Sequence, residues 1–153
     1  MNNLEIITLN KSGITDFAQE RNLLLKKAKN DWVLFLDTDE TATSKLMKEI
    51  HKKIQDDKFD GFYIKRKIYF CGQYVGEDKV LRLARKGVGK WKRAVHEVWD
   101  IQGNIGMLQN YIIHNTANNL SEYIDKMNYY STLHARENLK EGKRSNLFKI
   151  ILK

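Results

Sequence analysis

The feature that most constrains this chain is the stretch WVLFLDTDE, residues 32–40. Trp32 to Leu36 is apolar at every position, so both alternating faces of a strand here are apolar, as a strand covered on both sides requires. Strands of that kind belong to sheets flanked by helices. The run then stops in three carboxylates, Asp37, Asp39 and Glu40. In open α/β sheets ligands gather at the carboxyl ends of strands, so any chemistry is expected just beyond Leu36.

The neighbouring segments agree with that reading. Leu4 to Leu9 is short and β-branched, a strand. Asp16 with Gln19 makes a capping box ahead of a helix whose face carries Phe17, Leu24, Leu25 and Ala28. Asn30-Asp31 breaks it. Thr43 caps a second helix with the stripe Leu46, Met47, Ile50 and Ile54. Strand, helix, strand, helix is the alternation of a parallel sheet.

The middle of the chain changes period. Over Gly61–Phe70 one face carries Phe62, Ile64, Ile68 and Phe70 with Arg66 among them, and the other carries Tyr63, Lys65, Lys67 and Tyr69. Arg66 on an apolar face requires an anionic partner. Val80–Ala84 and Ile105–Ile113 read as further strands among glycines. The last third is helical: Asn119 and Glu122 form an N-cap pair. Leu120, Tyr123, Ile124, Met127, Tyr130 and His134 recur at helical spacing, and Gly142 closes the helix.

At 153 residues the chain suits one domain with a real core. Its 27 lysines and arginines against 19 aspartates and glutamates give a net charge of +8, which favours anionic partners without choosing among them. A single cysteine, Cys71, excludes an internal disulfide and a Cys-based zinc site, and points to a reducing compartment. No run of eighteen apolar residues provides a transmembrane helix, and MNNLEIITLNKSG lacks the pattern of a secretory signal.

Two aspartates at i and i+2 repel each other unless a cation intervenes. Mg²⁺ and Mn²⁺ take one or two carboxylates together with phosphate oxygens and water. A metal held by Asp37 and Asp39 would grip the diphosphate of an activated donor and neutralise it as a leaving group. The bland alternative is a solvated Asp-rich turn capping the next helix.

The wider pattern resembles a known family. DFAQERNLLLKKAKNDWVLFLDTDE is similar to the segment of family 2 glycosyltransferases that reads Phe-Ala, two variable residues, Arg-Asn, a helix, an apolar strand and Asp-x-Asp-Glu. GFYIKRKIYFCGQ, VLRLARKG, AVHEVW, a Gly-rich strand pair ending IIHNT, and YIDKMNYYSTLHA follow in the order of the bacterial branch that builds lipopolysaccharide core and related surface glycans. The similarity spans roughly residues 16–140.

The resemblance implies a partial GT-A fold: an α/β, Rossmann-like mixed sheet flanked by helices, with a long C-terminal helix. It implies inverting transfer from a nucleotide-sugar, a UDP-sugar by preference, to a glycan or lipid-linked acceptor, with Mg²⁺ or Mn²⁺ as cofactor. By position, Asp37 and Asp39 match the metal and donor motif, and Arg21 and Asn22 the pair preceding it near the nucleotide. Glu97, in VHE, falls where the general base is sought, its alternative being a surface strand residue. His114 reads as a metal ligand or diphosphate contact, or as a structural histidine. His96 orients Glu97 or packs. Arg82 and Arg85 lie in KVLRLARKGVGKWKR, where seven of fifteen residues are basic. Arginine forks suit phosphate, and a solvated edge strand is the other reading. Trp91 stacks on a sugar or, by preference, packs in the core.

The expected organisation is one domain over residues 1–153. Its donor and metal side covers 1–60, the acceptor-side strands 61–118, the helix 119–141, and a basic, apolar, membrane-facing tail 142–153. The resemblance begins after the two βα units with which family members usually open. The expectation is therefore weak nucleotide binding, and little turnover without a complementing N-terminal segment. The expected location is the cytoplasm, at the inner face of the cytoplasmic membrane. The competing readings are a non-catalytic basic domain for nucleic acid or acidic membrane, and an inactive relic. Asp37, Asp39 and Glu97 would oppose a polyanion unless a metal intervened, and no RNA-binding signature is present, so no nucleic acid is expected.

Overall fold

The computed structural model describes residues 3–10 and 13–143. The expected basic, apolar tail lies, from residue 144 on, outside the described residues. The elements run β1 (Leu4–Thr8), α1 (Phe17–Lys27), β2 (Trp32–Leu36), β3 (Glu40–Ala42), α2 (Ser44–Lys53), β4 (Gly61–Phe70), β5 (Gln73–Arg85), β6 (Gly89–Lys92), β7 (Val98–Ile101), β8 (Ile105–Ala117) and α3 (Leu120–Lys140). Six strands form one mixed sheet in the order β1-β2-β5-β4-β8-β3, and β6 and β7 form a separate hairpin. The pairs β1–β2 and β4–β8 are parallel. The pairs β2–β5, β4–β5 and β3–β8 are antiparallel.

The expected helix starts hold, because each is a local hydrogen bond. Asp16 accepts from the Gln19 amide at 2.8 Å, Thr43 from Leu46 at 3.2 Å and Asn119 from Glu122 at 2.9 Å. Each satisfies an amide that the first helical turn leaves without a partner.

All five residues of β2 are buried. Trp32, Leu34 and Leu36 enter a core shared with Leu46, Ile50 and Ile54 of α2 and with Phe62, Ile64, Leu83, Leu108 and Ile112. Val33 and Phe35 enter the opposite core, with Ala18 and Leu25 of α1 and with Trp91 and Trp99 of the β6–β7 hairpin. The unbroken apolar run is thus explained by two cores served in alternation. Each fully buried side chain contributes about 1.5–3 kcal/mol from burial, which anchors the position of Asp37 and Asp39 beyond it.

Several strands exceed the sequence expectation. The strand expected over Val80–Ala84 is the end of β5, which begins at Gln73. The strand expected to end at Ile113 continues to Ala117, so His114 lies inside β8 and not at its end. β5 sits between β2 and β4, which removes the solvated-edge reading of Arg82. Arg85 pairs with Trp32, at the opposite end of β2 from Asp37, and its guanidinium bonds Asp57 at 2.5 Å. It is not a phosphate contact of this site.

Candidate functional site

The Asp-Thr-Asp-Glu segment is shaped by Glu40. Its amide donates to the Asp37 carbonyl at 3.0 Å, and its carboxylate reaches back to accept from the Asp37 amide, also at 3.0 Å. The other oxygen of Glu40 accepts from Arg66 at 2.7 Å, and Arg66 also holds Asp78 at 2.6 Å. Arg66 thereby finds the anionic partner its apolar neighbours demanded. On the far side, the Asn115 amide donates to the Asp39 carbonyl at 2.9 Å, tying the turn to β8. The third carboxylate of the cluster is a structural brace, and it frees the other two to face outward.

Asp37 and Asp39 face different partners. Asp37 Oδ1 is ion-paired with Arg21, and its Oδ2 with Arg82 at 2.6 Å. Arg21 is 1% exposed and Arg82 8%. Burial opposes ionisation of Asp37, yet Arg82 and Arg21 outweigh it and hold the carboxyl below the usual range. Arg21 lies over the Trp91 ring at 4.9 Å and Arg82 at 5.7 Å, so the indole is a platform for both guanidiniums. Trp91 itself is 4% exposed and stacks on Trp99 at 5.0 Å, mainly a core residue as the sequence favoured. Asn22 donates to the Trp91 carbonyl and accepts from its amide, both at 2.9 Å. Its amide is consumed in holding that platform, and Asn22 is not among the residues that line the cavity bordered by Asp37 and Asp39.

Asp39 Oδ2 instead meets His114 Nε2 at 3.4 Å and Lys126 Nζ at 3.3 Å. Burial again opposes ionisation, and His114 followed by Lys126 holds the Asp39 carboxyl down. Lys126 comes from α3. Sequence reasoning did not single it out, although it lies in the YIDKMNYYSTLHA block.

Glu97 stands in the loop before β7. Its Oε1 accepts from Arg21 Nε at 2.9 Å and lies 3.9 Å from Arg82. Arg21 therefore links Glu97 to Asp37, and Oε2 is left without a side-chain partner among the described residues. The approach to Glu97 is unusual. Arg93 and His96 both have positive φ, 71° and 54°. Such residues cost about 1–3 kcal/mol each and persist where their surroundings hold them. Here the Phe17 amide bonds the Ala94 carbonyl at 2.9 Å, Val95 packs with Leu133 of α3, and His96 meets His134 edge-on at 4.5 Å. His96 is exposed and borders the same cavity as Glu97, and its positive φ lies in the turn that brings Glu97 to Arg21.

These groups line one cavity of about 990 Å³, walled by the carboxyl ends of β1 and β2, by β5, by the hairpin and by α3. Arg21, Asp37, Asp39, Arg82, Glu97 and His114 all border it, with Tyr123, Met127, Tyr129 and Tyr130 on the α3 side. Burial, and then Asp37 and Asp39, push the Tyr130 phenol up, as expected for a hydroxyl close to the acidic pair.

The residues can be tested for a divalent ion. Among the described residues no three His, Cys, Asp or Glu side chains converge on one point. Two donors do: Asp39 Oδ2 and His114 Nε2, 3.4 Å apart. Adjacent ligands on an octahedral ion with bonds near 2.1 Å are about 3 Å apart, so the pair fits one side of such an ion. Its other positions would fall to phosphate and water, the usual habit of Mg²⁺. Asp37 fits less well, since both of its oxygens are already engaged by arginine.

A mixed α/β sheet flanked by helices, with an acidic pair at the carboxyl end of a buried parallel strand and a long C-terminal helix, is a partial GT-A fold. The chain belongs to glycosyl transferase family 2, whose sequence profile matches residues 3–108. It is 29% identical over 145 residues to the lipopolysaccharide core biosynthesis glycosyltransferase LpsC of Rhizobium meliloti (strain 1021), covering 88% of this chain and 53% of that protein. It is 24% identical over 139 residues to uncharacterized glycosyltransferases of Rickettsia typhi and Rickettsia prowazekii, covering 79% of this chain and 48% of each. The chain spans about half the length of the curated relatives it matches. Among the described residues no helix is long and apolar enough to cross a membrane.

Proposed function

We propose that this chain is a glycosyltransferase, or part of one, that transfers a sugar from a nucleotide-sugar donor to a glycan or lipid-linked acceptor in lipopolysaccharide or surface-polysaccharide synthesis, with inversion at the anomeric carbon. The observation that carries this reading is the meeting of Asp39, His114 and Glu97 in one cavity at the carboxyl end of β2. Asp39 and His114 would hold Mg²⁺ or Mn²⁺, which, when bound, supplies positive charge to the donor diphosphate.

The chain's own residues divide the remaining work. Glu97 takes the proton of the acceptor hydroxyl as that oxygen attacks the sugar in line. Arg21 fixes one of its oxygens and leaves the other for the acceptor. Asp37 spaces Arg21 and Arg82 and keeps both guanidiniums in register over Trp91. Tyr123, Met127 and Tyr130 present an aromatic and thioether wall suited to the apolar face of an acceptor sugar. The rival reading, a basic module for polyanions, gives no role to Asp37, Asp39 and Glu97 among the arginines and lysines that border the cavity.

Calorimetry with a panel of UDP-sugars, with and without Mn²⁺, tests the proposal. The expected result is metal-dependent binding that Asp39→Ala abolishes and Glu97→Gln leaves within about threefold, since the base acts on the acceptor and not on the donor. Binding that ignores both Mn²⁺ and Asp39→Ala refutes it.

A further inference from the structure

Lys126 is anchored asymmetrically. Its ammonium donates to the Thr116 carbonyl at 2.7 Å, a short, fully formed bond. Its contacts with Asp39 Oδ2 and Glu122 Oε1 are both 3.3 Å. Charge-assisted bonds to carboxylates close to about 2.8 Å, so two of the three N–H donors are only loosely used. The side chain is 38% exposed and borders the cavity.

A tether for α3 would not need this placement. The Tyr129 hydroxyl already donates to the Ile14 carbonyl at 2.8 Å, Phe70 meets Tyr123 at 5.2 Å, Leu133 is buried against Val95, and Arg93 reaches Glu141 at 3.3 Å. What Lys126 adds is a positive charge on the same carboxylate oxygen that faces His114.

We propose that Lys126 is a diphosphate-binding residue of this cavity: held by the Thr116 carbonyl, its ammonium turns from Asp39 to a phosphate oxygen of a nucleoside diphosphate. The assignment rests on the donor reading given above. It links the donor to α3, so that filling the diphosphate position also fastens the wall carrying Tyr123, Met127 and Tyr130.

Inorganic pyrophosphate with Mg²⁺, titrated calorimetrically into the full chain at low ionic strength, isolates this contact from the nucleoside. Lys126→Met is expected to bind about tenfold more weakly, the worth of one charge-assisted contact. Lys126→Arg is expected within about threefold of the parent, and Asp39→Asn to lose the Mg²⁺ dependence. In the unmodified chain the Lys126 Nζ resonance should shift on adding pyrophosphate, a readout that does not depend on how any variant folds. An unchanged affinity in Lys126→Met, or an unshifted resonance, while Asp39→Asn still abolishes Mg²⁺-dependent binding, overturns the role of Lys126 and leaves the donor reading intact. No Mg²⁺-dependent binding by the parent chain overturns both.

Discussion

Replacing Asp37 by Asn separates bracing from ligand binding within the acidic pair. The substitution keeps shape and one acceptor oxygen but removes the charge shared by Arg21 and Arg82. Removing one partner of a buried ion pair costs about 3–5 kcal/mol. Two features reduce that here: the Asp37 side chain is 32% exposed, and Arg21 keeps Glu97 at 2.9 Å. The expected loss is therefore about 2–3 kcal/mol, which for a domain of this size lowers the melting temperature by roughly 5–10 °C. Asp39→Asn removes contacts of 3.3 and 3.4 Å to partners that are themselves partly exposed, and should cost no more than about 1 kcal/mol. Urea unfolding followed by tryptophan fluorescence measures both. Equal costs for the two variants, or a larger one for Asp39→Asn, would refute the division of labour between a bracing and a ligand-facing aspartate.

Three further outcomes are expected. Asp37, Asp39 and Glu49 are all held below their ordinary carboxyl values, so the unfolded chain binds more protons than the folded one in acid. Their contribution to stability is complete above the unfolded value of about 4 and is lost as the pH falls through the depressed folded values. Urea midpoints should drop below about pH 4, and a midpoint that rises between pH 5 and pH 3 contradicts this. Phe35→Ala should cost about 3–5 kcal/mol by differential scanning calorimetry, because it empties a site where Phe35 meets Trp91 and Trp99 edge-on at 5.3 Å each; a loss under 1 kcal/mol is incompatible with that packing. Gly89→Ala should disrupt the β6–β7 hairpin, since the added methyl would sit against the Asp100 carbonyl oxygen; a near-ultraviolet circular dichroism spectrum unchanged in the Trp91–Trp99 region would show the approach to be looser.

Much of this protein was legible in its residues because the relevant physics is local. The double-faced burial of Trp32–Leu36 follows from its unbroken apolar run, and the helix starts at Asp16, Thr43 and Asn119 follow from side chains that reach amides three residues on. The alternation in Gly61–Phe70 defined a strand with matching limits. The strands β3, β6 and β7 escaped because three or four residues are too few to display a period.

The order of the strands, and the partners of each charge, belong to the tertiary structure. Arg66 announced a need for an anion, but only the pairing of β3 with β8 brought Glu40 within reach of it. Asp37 and Asp39 look equivalent in the chain. Folding gave the first to arginines contributed by α1 and β5, and the second to a histidine from β8 and a lysine from α3. The Asn22 amide, adjacent to a site residue in sequence, was spent on the backbone of Trp91. A one-dimensional pattern records which groups are present and how each segment covers its own apolar face. Which carboxylate meets which cation depends on contacts between residues as many as 87 positions apart, and those form only when the sheet and helices have packed.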